Sequence, residues 1–337
     1  MLLVRAARRA DHDAFVELAR AAGPGFTSLA VDDEALEAKL AASEAAFDGR
    51  VADRQDAVYQ LMIEETETGE ILGTAAVKAG IGLKKPYFDF KIMTIAQASY
   101  EADRRFDMEV MLLVNDFAGC TEVGSLFVRD AARGTGAGRL IAQARYLLIA
   151  AKRDRFGERV VSELRGVVEE DGSSPFFEHV TRPFFQMSFE EADRLSAATN
   201  NQFILDLMPV HPIYLDLLPE PARAVVGQTH PHGAGARRLL EWEGFEYQRY
   251  VDIFDAGPLV SCRADKIRTL RESKTAPARA LDGPGEVRAI VTNDRLADFR
   301  AIFSDIDAGE GSLAAPADAL AALDLSTGDT ARYWIKS

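Results

Sequence analysis

The chain has 337 residues, a formal net charge of −14 and 47% hydrophobic residues, the composition of an ordinary globular protein too long for one small core. The acidic balance argues against non-specific nucleic-acid binding, and no run reaches the ~18 uninterrupted apolar residues that a membrane span needs. Two cysteines, Cys120 and Cys262, make no disulfide framework and have no metal-ligand spacing, and the early charges from Arg5 onward are unlike a secretory signal, so the expectation is a reduced, cytoplasmic protein without a metal.

MLLVRAAR predicts a short first strand, and ADHDAFVELARAA a helix with Asp11 as its N-cap. GPGFTSL, residues 23–29, is expected as a loop. DDEALEAKLAASEAAF predicts a second helix burying Leu36, Leu40 and Phe47 on one face. AVYQLMIEE and ILGTAAVKAG flank TETGE as a hairpin, and KPYFDFKIMTIAQASY, MEVMLLVNDF and TEVGSLFVR supply three more strands. RDAARGTGAGRL, residues 129–140, then leads into a helical pattern carrying Leu140, Ile141, Ala144, Leu147, Leu148 and Ala151, and ERVVSELRGVV is the next buried strand. GSSPFFEHVTRPFFQMSFE, residues 172–190, is expected to form a short helix plus a strand packed on the sheet. FILDLMP, HPIYLDLLP, GARRLLEWEGF and EYQRYVDIFD then continue an αβ alternation.

RESKTAPARALDGPGEV, residues 271–287, is rich in Ala, Pro, Gly and charge and reads as a hinge, with a linker at 276–286. The expected organisation is a core over 1–275, with an internal second αβ subdomain from about 203, and a small β-rich appendage over 287–337. The fold class is α/β (α+β): a mixed sheet with helices on both faces.

A glycine-rich turn between a strand and a helix invites an anion. Helix N-terminal amides are unpaired, the helix dipole is positive there, and glycines allow close approach. Spelling decides which anion. GxxxxGK[ST] is absent, and Gly134, Gly136 and Gly138 run in steps of two, so neither an NTPase loop nor a dinucleotide GxGxxG is present. What is present is Arg-x-x-Gly-x-Gly, as Arg133-Gly134-Thr135-Gly136-Ala137-Gly138. A ligand-free turn has the same spelling. The pattern resembles the acyl-CoA loop of GCN5-related N-acetyltransferases, which binds the CoA pyrophosphate. The resemblance implies that Ser125–Val128 splays from its neighbour and that Leu126, Phe127 and Val128 bond the pantetheine arm.

The chain further resembles the arginine N-succinyltransferases through ordered segments: GFTSL, NDFAG, SLFVRD, ELRGV, SPFF, LMPVHPIY, VGQTHP, EGFEY and DIFDAGP. Residues 1–275 carry this resemblance well and the tail weakly. It implies transfer of succinyl from succinyl-CoA, as cosubstrate and with no permanently bound cofactor, to the α-amine of L-arginine. It also implies a homo-oligomer, or a hetero-oligomer with a paralogous subunit. By the same resemblance, the family's proton-donating histidine falls on His230 and its CoA-contacting leucine on Leu126.

A histidine suits aminolysis of a thioester, because it exchanges protons in both directions near neutral pH. Of five histidines, His12 and His179 read as surface or packing residues and His211 as a turn residue or a site residue. Arginine as substrate needs a cation for its carboxylate and acids for its guanidinium. Arg165 is a candidate for the first, Glu169–Asp171 for the second, and Thr27 and Ser28 for further contacts. Three departures bear on the acceptor: Gly233 and Gly235 stand where the family has threonine and proline, Phe177 where it has tryptophan, and Lys91 where arginine is usual. They keep open ornithine or another amine as acceptor, and a non-catalytic CoA-binding subunit. The glycines at 233 and 235 also predict a more flexible loop after His230.

Overall fold

The structure, a computed structural model, describes residues 1–22, 33–169, 172–309 and 311–336. Among them fifteen strands form one continuous sheet. Its central run is Leu2–Ala6, Val58–Glu65, Glu70–Lys78, Thr121–Val128, Arg159–Glu163, Pro258–Arg263, Glu246–Asp252, Asp89–Ser99 and Arg104–Val114 in spatial order, with Ile213–Tyr214 at the edge. Neighbours in this run are antiparallel except Thr121–Val128 with Arg159–Glu163, which are parallel. A parallel pair needs a crossover, and the helix Ala137–Ala151 supplies it.

Alternation along Val58–Glu65 explains the layers. Leu61 and Ile63 face the cluster built on the crossover helix, through Leu140, Ile141, Ala144 and Leu147. Met62 faces the other way, onto Phe15, Leu18, Leu36 and Leu40 of the helices His12–Ala22 and Asp33–Phe47. Asp11 does not cap the first of these helices. Its carboxylate is buried against the Arg5 guanidinium at 2.8 Å on both oxygens.

Residues 276–286, expected as a linker, contain most of a strand, Lys274–Leu281. It pairs in parallel with Ser312–Pro316 and antiparallel with Thr330–Ile335. Val287–Thr292 joins Thr330–Ile335 to Arg300–Gly309, which pairs with Ser312–Pro316, so five strands close on themselves. Arg300–Gly309 also pairs with the first strand, through Leu3↔Ile302 and Val4↔Ala301. Residues beyond 203 likewise do not stand apart: Glu246–Asp252 and Pro258–Arg263 lie inside the central run.

The phenylalanine-rich stretch carries the helical segments Phe177–Thr181 and Arg182–Phe185 and the start of Phe189–Ala198, and contributes no strand among the described residues. A short apolar run has the same spelling in a buried helix as in a buried strand. Here Phe177, Phe185 and Phe254 pack edge-on and stacked beneath the sheet.

Candidate active site

The site begins with a strand that leaves its neighbour. Thr121–Val128 pairs with Arg159–Glu163 only at Thr121↔Val160 and Glu122↔Val161. Beyond that it stays with Glu70–Lys78, with a register shift between Thr74 and Ala76 and Ser125 at φ 51°. Gly73 makes room for this bulge, since a Cβ there would lie 2.5 Å from the Phe127 carbonyl oxygen. The result is a notch between Gly124–Val128 and Ser162–Arg165, both of which line a cavity of about 1320 Å³.

The glycine loop forms one end of that cavity. Arg133, Gly134, Gly136 and Gly138 line it. Gly134 and Gly136 hold φ of 83° and 96°, a region that glycine enters without steric cost. Gly136 is the N-cap of the crossover helix and has no side chain to cap it, and the Thr135 hydroxyl accepts the Ala137 N–H only at 3.4 Å. The amides and the positive end of the dipole are therefore presented to an anion. Leu126, Phe127 and Val128 line the same cavity. Thr135 and Ala137 do not. The Thr135 hydroxyl donates to the Ala132 carbonyl (2.7 Å) and holds the turn, while Ala137 is buried in the core.

His230 lines the cavity too, half-buried. Its backbone N–H donates to the Arg165 carbonyl (2.8 Å), which ties the histidine loop to the end of the strand Arg159–Glu163. Its Nδ1 accepts the His232 backbone N–H (3.2 Å), so Nε2 carries the proton of the neutral ring. Burial, then the Arg165 guanidinium and the neighbouring His232, hold the imidazole below its ordinary pKa. The loop forms a 3₁₀ turn, Pro231–Gly233, closed by the Gly233 N–H donating to the His230 carbonyl (2.8 Å). A Cβ on Gly233 would lie 2.8 Å from Thr229 Cγ2, so packing also favours glycine there.

Arg165 also lines the cavity, and its Nε is buried without a partner among the described residues. It forms no ion pair with Glu163 or Glu169 there. Glu169 lies in a turn away from the cavity, and Thr27, Ser28, Glu170 and Asp171 lie outside the described residues. His12 bonds Asp33, His179 and His211 are exposed, and none of the three lines the cavity. The two thiols are held above their ordinary pKa by burial and neither lines the cavity, so no cysteine is prepared as a nucleophile.

Sequence reasoning missed Glu163 and Tyr87. The Tyr87 hydroxyl donates to Glu163 Oε2 (2.6 Å), and both line the cavity at the notch. The low-dielectric surroundings push the Glu163 carboxyl up; Tyr87 opposes this, and Glu122 and Asp255 reinforce it. Glu163 lies inside ELRGV, so the segment was visible but the role was not. The buried acids Asp252 and Asp255 are structural. Asp252 accepts the Phe254 and Asp255 amides (2.7 and 2.8 Å), and Asp255 accepts those of Gly166 and Gly257 (2.7 and 2.8 Å).

Known proteins resemble this chain over its length. The family model of the arginine N-succinyltransferase beta subunit matches residues 2–269, and that of the beta subunit's C-terminal domain matches residues 271–334. An arginine N-succinyltransferase of Enterobacter sp. (strain 638) is 37% identical over 334 residues, 98% of this chain and 97% of its own length. One from Citrobacter koseri is 36% identical over the same shares. The structure of the arginine/ornithine succinyltransferase subunit AI from Pseudomonas aeruginosa matches with a TM-score of 0.90 at 33% identity, covering 99% of this chain and 98% of that one.

Proposed function

The chain belongs to the arginine N-succinyltransferase family, and from that premise we propose that it transfers the succinyl group of succinyl-CoA to the α-amine of L-arginine. The observation that carries the reading is a coincidence in space. The glycine loop, the splayed strand and His230 come from separate parts of the sequence and line one cavity.

The loop amides hold the CoA pyrophosphate, and the edge of Leu126–Val128 runs beside the pantetheine arm, so the thioester reaches the notch. The amine attacks the thioester carbonyl carbon directly, a C–N bond forms, and the C–S bond breaks. Charge appears on sulfur as that bond breaks, and His230 Nε2–H is the donor that meets it. The amine's proton passes to a carboxylate in the same wall. Glu163 suits this, because its raised pKa makes it a stronger base than an ordinary carboxylate. Arg165, whose Nε has no partner among the described residues, suits the α-carboxylate of the acceptor. The protein works as an oligomer, either of this chain or with a paralogous subunit.

Ornithine is the second reading for the acceptor. The description of the Pseudomonas protein as an arginine/ornithine succinyltransferase subunit favours it. The third, a CoA-binding subunit without turnover, keeps the loop and makes His230 dispensable. His230→Ala separates this third reading from the other two. It is expected to lower kcat by about 100-fold or more while leaving CoA affinity near the wild-type value; unchanged turnover removes His230 from the mechanism.

A further inference from the structure

Three lysines from three elements converge on the cavity: Lys39 of the helix Asp33–Phe47, Lys78 at the end of Glu70–Lys78, and Lys85 in the loop that follows. All three are half-buried. Lys78 Nζ lies 2.9 Å from Glu122 Oε2, and Lys85 Nζ donates to the Ser196 carbonyl. The Lys39 ammonium is pushed down to about 8, by burial first and then by Lys78 and Lys85, with Asp193 opposing. Lys85 is lowered in the same way, by burial and then by Lys78. Burial opposes Lys78 too, but Glu122 and then Glu163 outweigh it and raise its ammonium, so the opposed positive charge is at Lys39 and Lys85. An anion placed beside these two ends would relieve it.

Resting on the reading above, both substrates bring a carboxylate that takes no part in bond making: the free end of the succinyl group and the α-carboxylate of arginine. We propose that Lys39, Lys78 and Lys85 form a carboxylate subsite that holds the unreactive carboxylate of one substrate. Position favours the succinyl end. Lys78 is in register with Glu122, the last residue paired across the parallel strands before the notch opens. The acyl group emerges there, while Arg165 lies on the histidine's side of the notch, bonded through its carbonyl to His230.

The test uses ratios measured within single samples, so that a partly misfolded variant cancels out. kcat/KM is measured for succinyl-CoA and butyryl-CoA with arginine, and for arginine and argininamide with succinyl-CoA. The proteins are wild type, Lys39→Met, Lys85→Met and Lys39→Arg. The expected result is a fall of about 10- to 100-fold in the succinyl-over-butyryl ratio in both methionine variants, the range for a lost charged hydrogen bond, with most of the ratio kept in Lys39→Arg. A fall in the arginine-over-argininamide ratio instead keeps the subsite and assigns it to the acceptor. Both ratios unmoved overturns the proposal. Wild-type protein that releases no CoA from succinyl-CoA with arginine contradicts the functional reading alone. Calorimetric binding of succinyl-CoA and butyryl-CoA then still decides the lysines: a wild-type preference for succinyl-CoA that both methionine variants lose supports them, and equal affinities in the wild type overturn them.

Discussion

The His232 backbone N–H lies 3.2 Å from Nδ1 of His230, and that contact governs which ring nitrogen carries the proton. It also opposes a second proton, in the same direction as burial and the nearby Arg165 and His232. The sign of the pH dependence follows. The working ring is neutral, and its pKa lies below the ordinary 6.5. Glu163 must be ionised as well, and its carboxyl is raised to about 7, so rate falls first as pH drops through about 7 and further as the ring gains a proton below 6.5; a rate that does not fall as pH drops through about 7 contradicts Glu163 as the proton acceptor. Glu163→Gln is expected to cut kcat by about 100-fold with little change in CoA affinity; a variant retaining wild-type kcat removes Glu163 as proton acceptor. At this scale His230 was singled out only through a family resemblance, because one of five histidines in a polar loop carries no local signature, and its backbone contact with Arg165 was not legible in the sequence. Glu163 was not readable at all. Its basicity comes from burial first and then from Glu122 and Asp255, which are distant in sequence, against the opposing hydrogen bond of Tyr87.

Among the elements, the glycine loop was the most legible, because Arg133–Gly138 combines a strand before, positive-φ glycines within and a helix after. Gly136→Asp adds a carboxylate at the helix N-cap, facing the expected pyrophosphate. It is expected to weaken CoA binding by on the order of tenfold, as judged by titration calorimetry; wild-type affinity in that variant sinks the loop assignment. The segments ELRG and DIFDAGP interlock by a different device. A Cβ on Gly257 would lie 2.1 Å from the Leu164 carbonyl oxygen, and one on Gly166 2.3 Å from that of Asp255. Gly257→Ala is expected to cost about 2 kcal/mol or more of stability, and an unchanged thermal midpoint contradicts the close approach. The phenylalanine-rich segment was misread because apolar content alone does not choose between helix and strand, and the choice came from packing on Phe254 and Phe203. Lys274–Leu281 was misread because Pro, Ala and charge hide a strand whose partners lie at 312–316 and 330–335.

For the whole molecule, the closed set of strands and the central run share both a strand pairing and a core. Leu2–Ala6 pairs with Arg300–Gly309, and Trp334 is buried in the main cluster, 5.6 Å from the Trp242 ring. A chain truncated after residue 273 would leave Leu2–Ala6 as an open edge and remove Trp334 from the core. It is expected to lose cooperative unfolding or to aggregate, as followed by calorimetry and light scattering; a truncated chain that melts like the full one contradicts this coupling. The α/β class and most strands were legible from periodicity, while the closure of five strands was not, since it depends on pairings that no local pattern encodes.

The measurement that tests the central claim most directly is release of free CoA thiol by the purified protein. Succinyl-CoA and acetyl-CoA are each supplied with arginine, ornithine and lysine. The structure predicts fast release with succinyl-CoA and arginine, with ornithine the next acceptor and acetyl-CoA a poor donor. No release with any pair, from protein that binds CoA, contradicts the account.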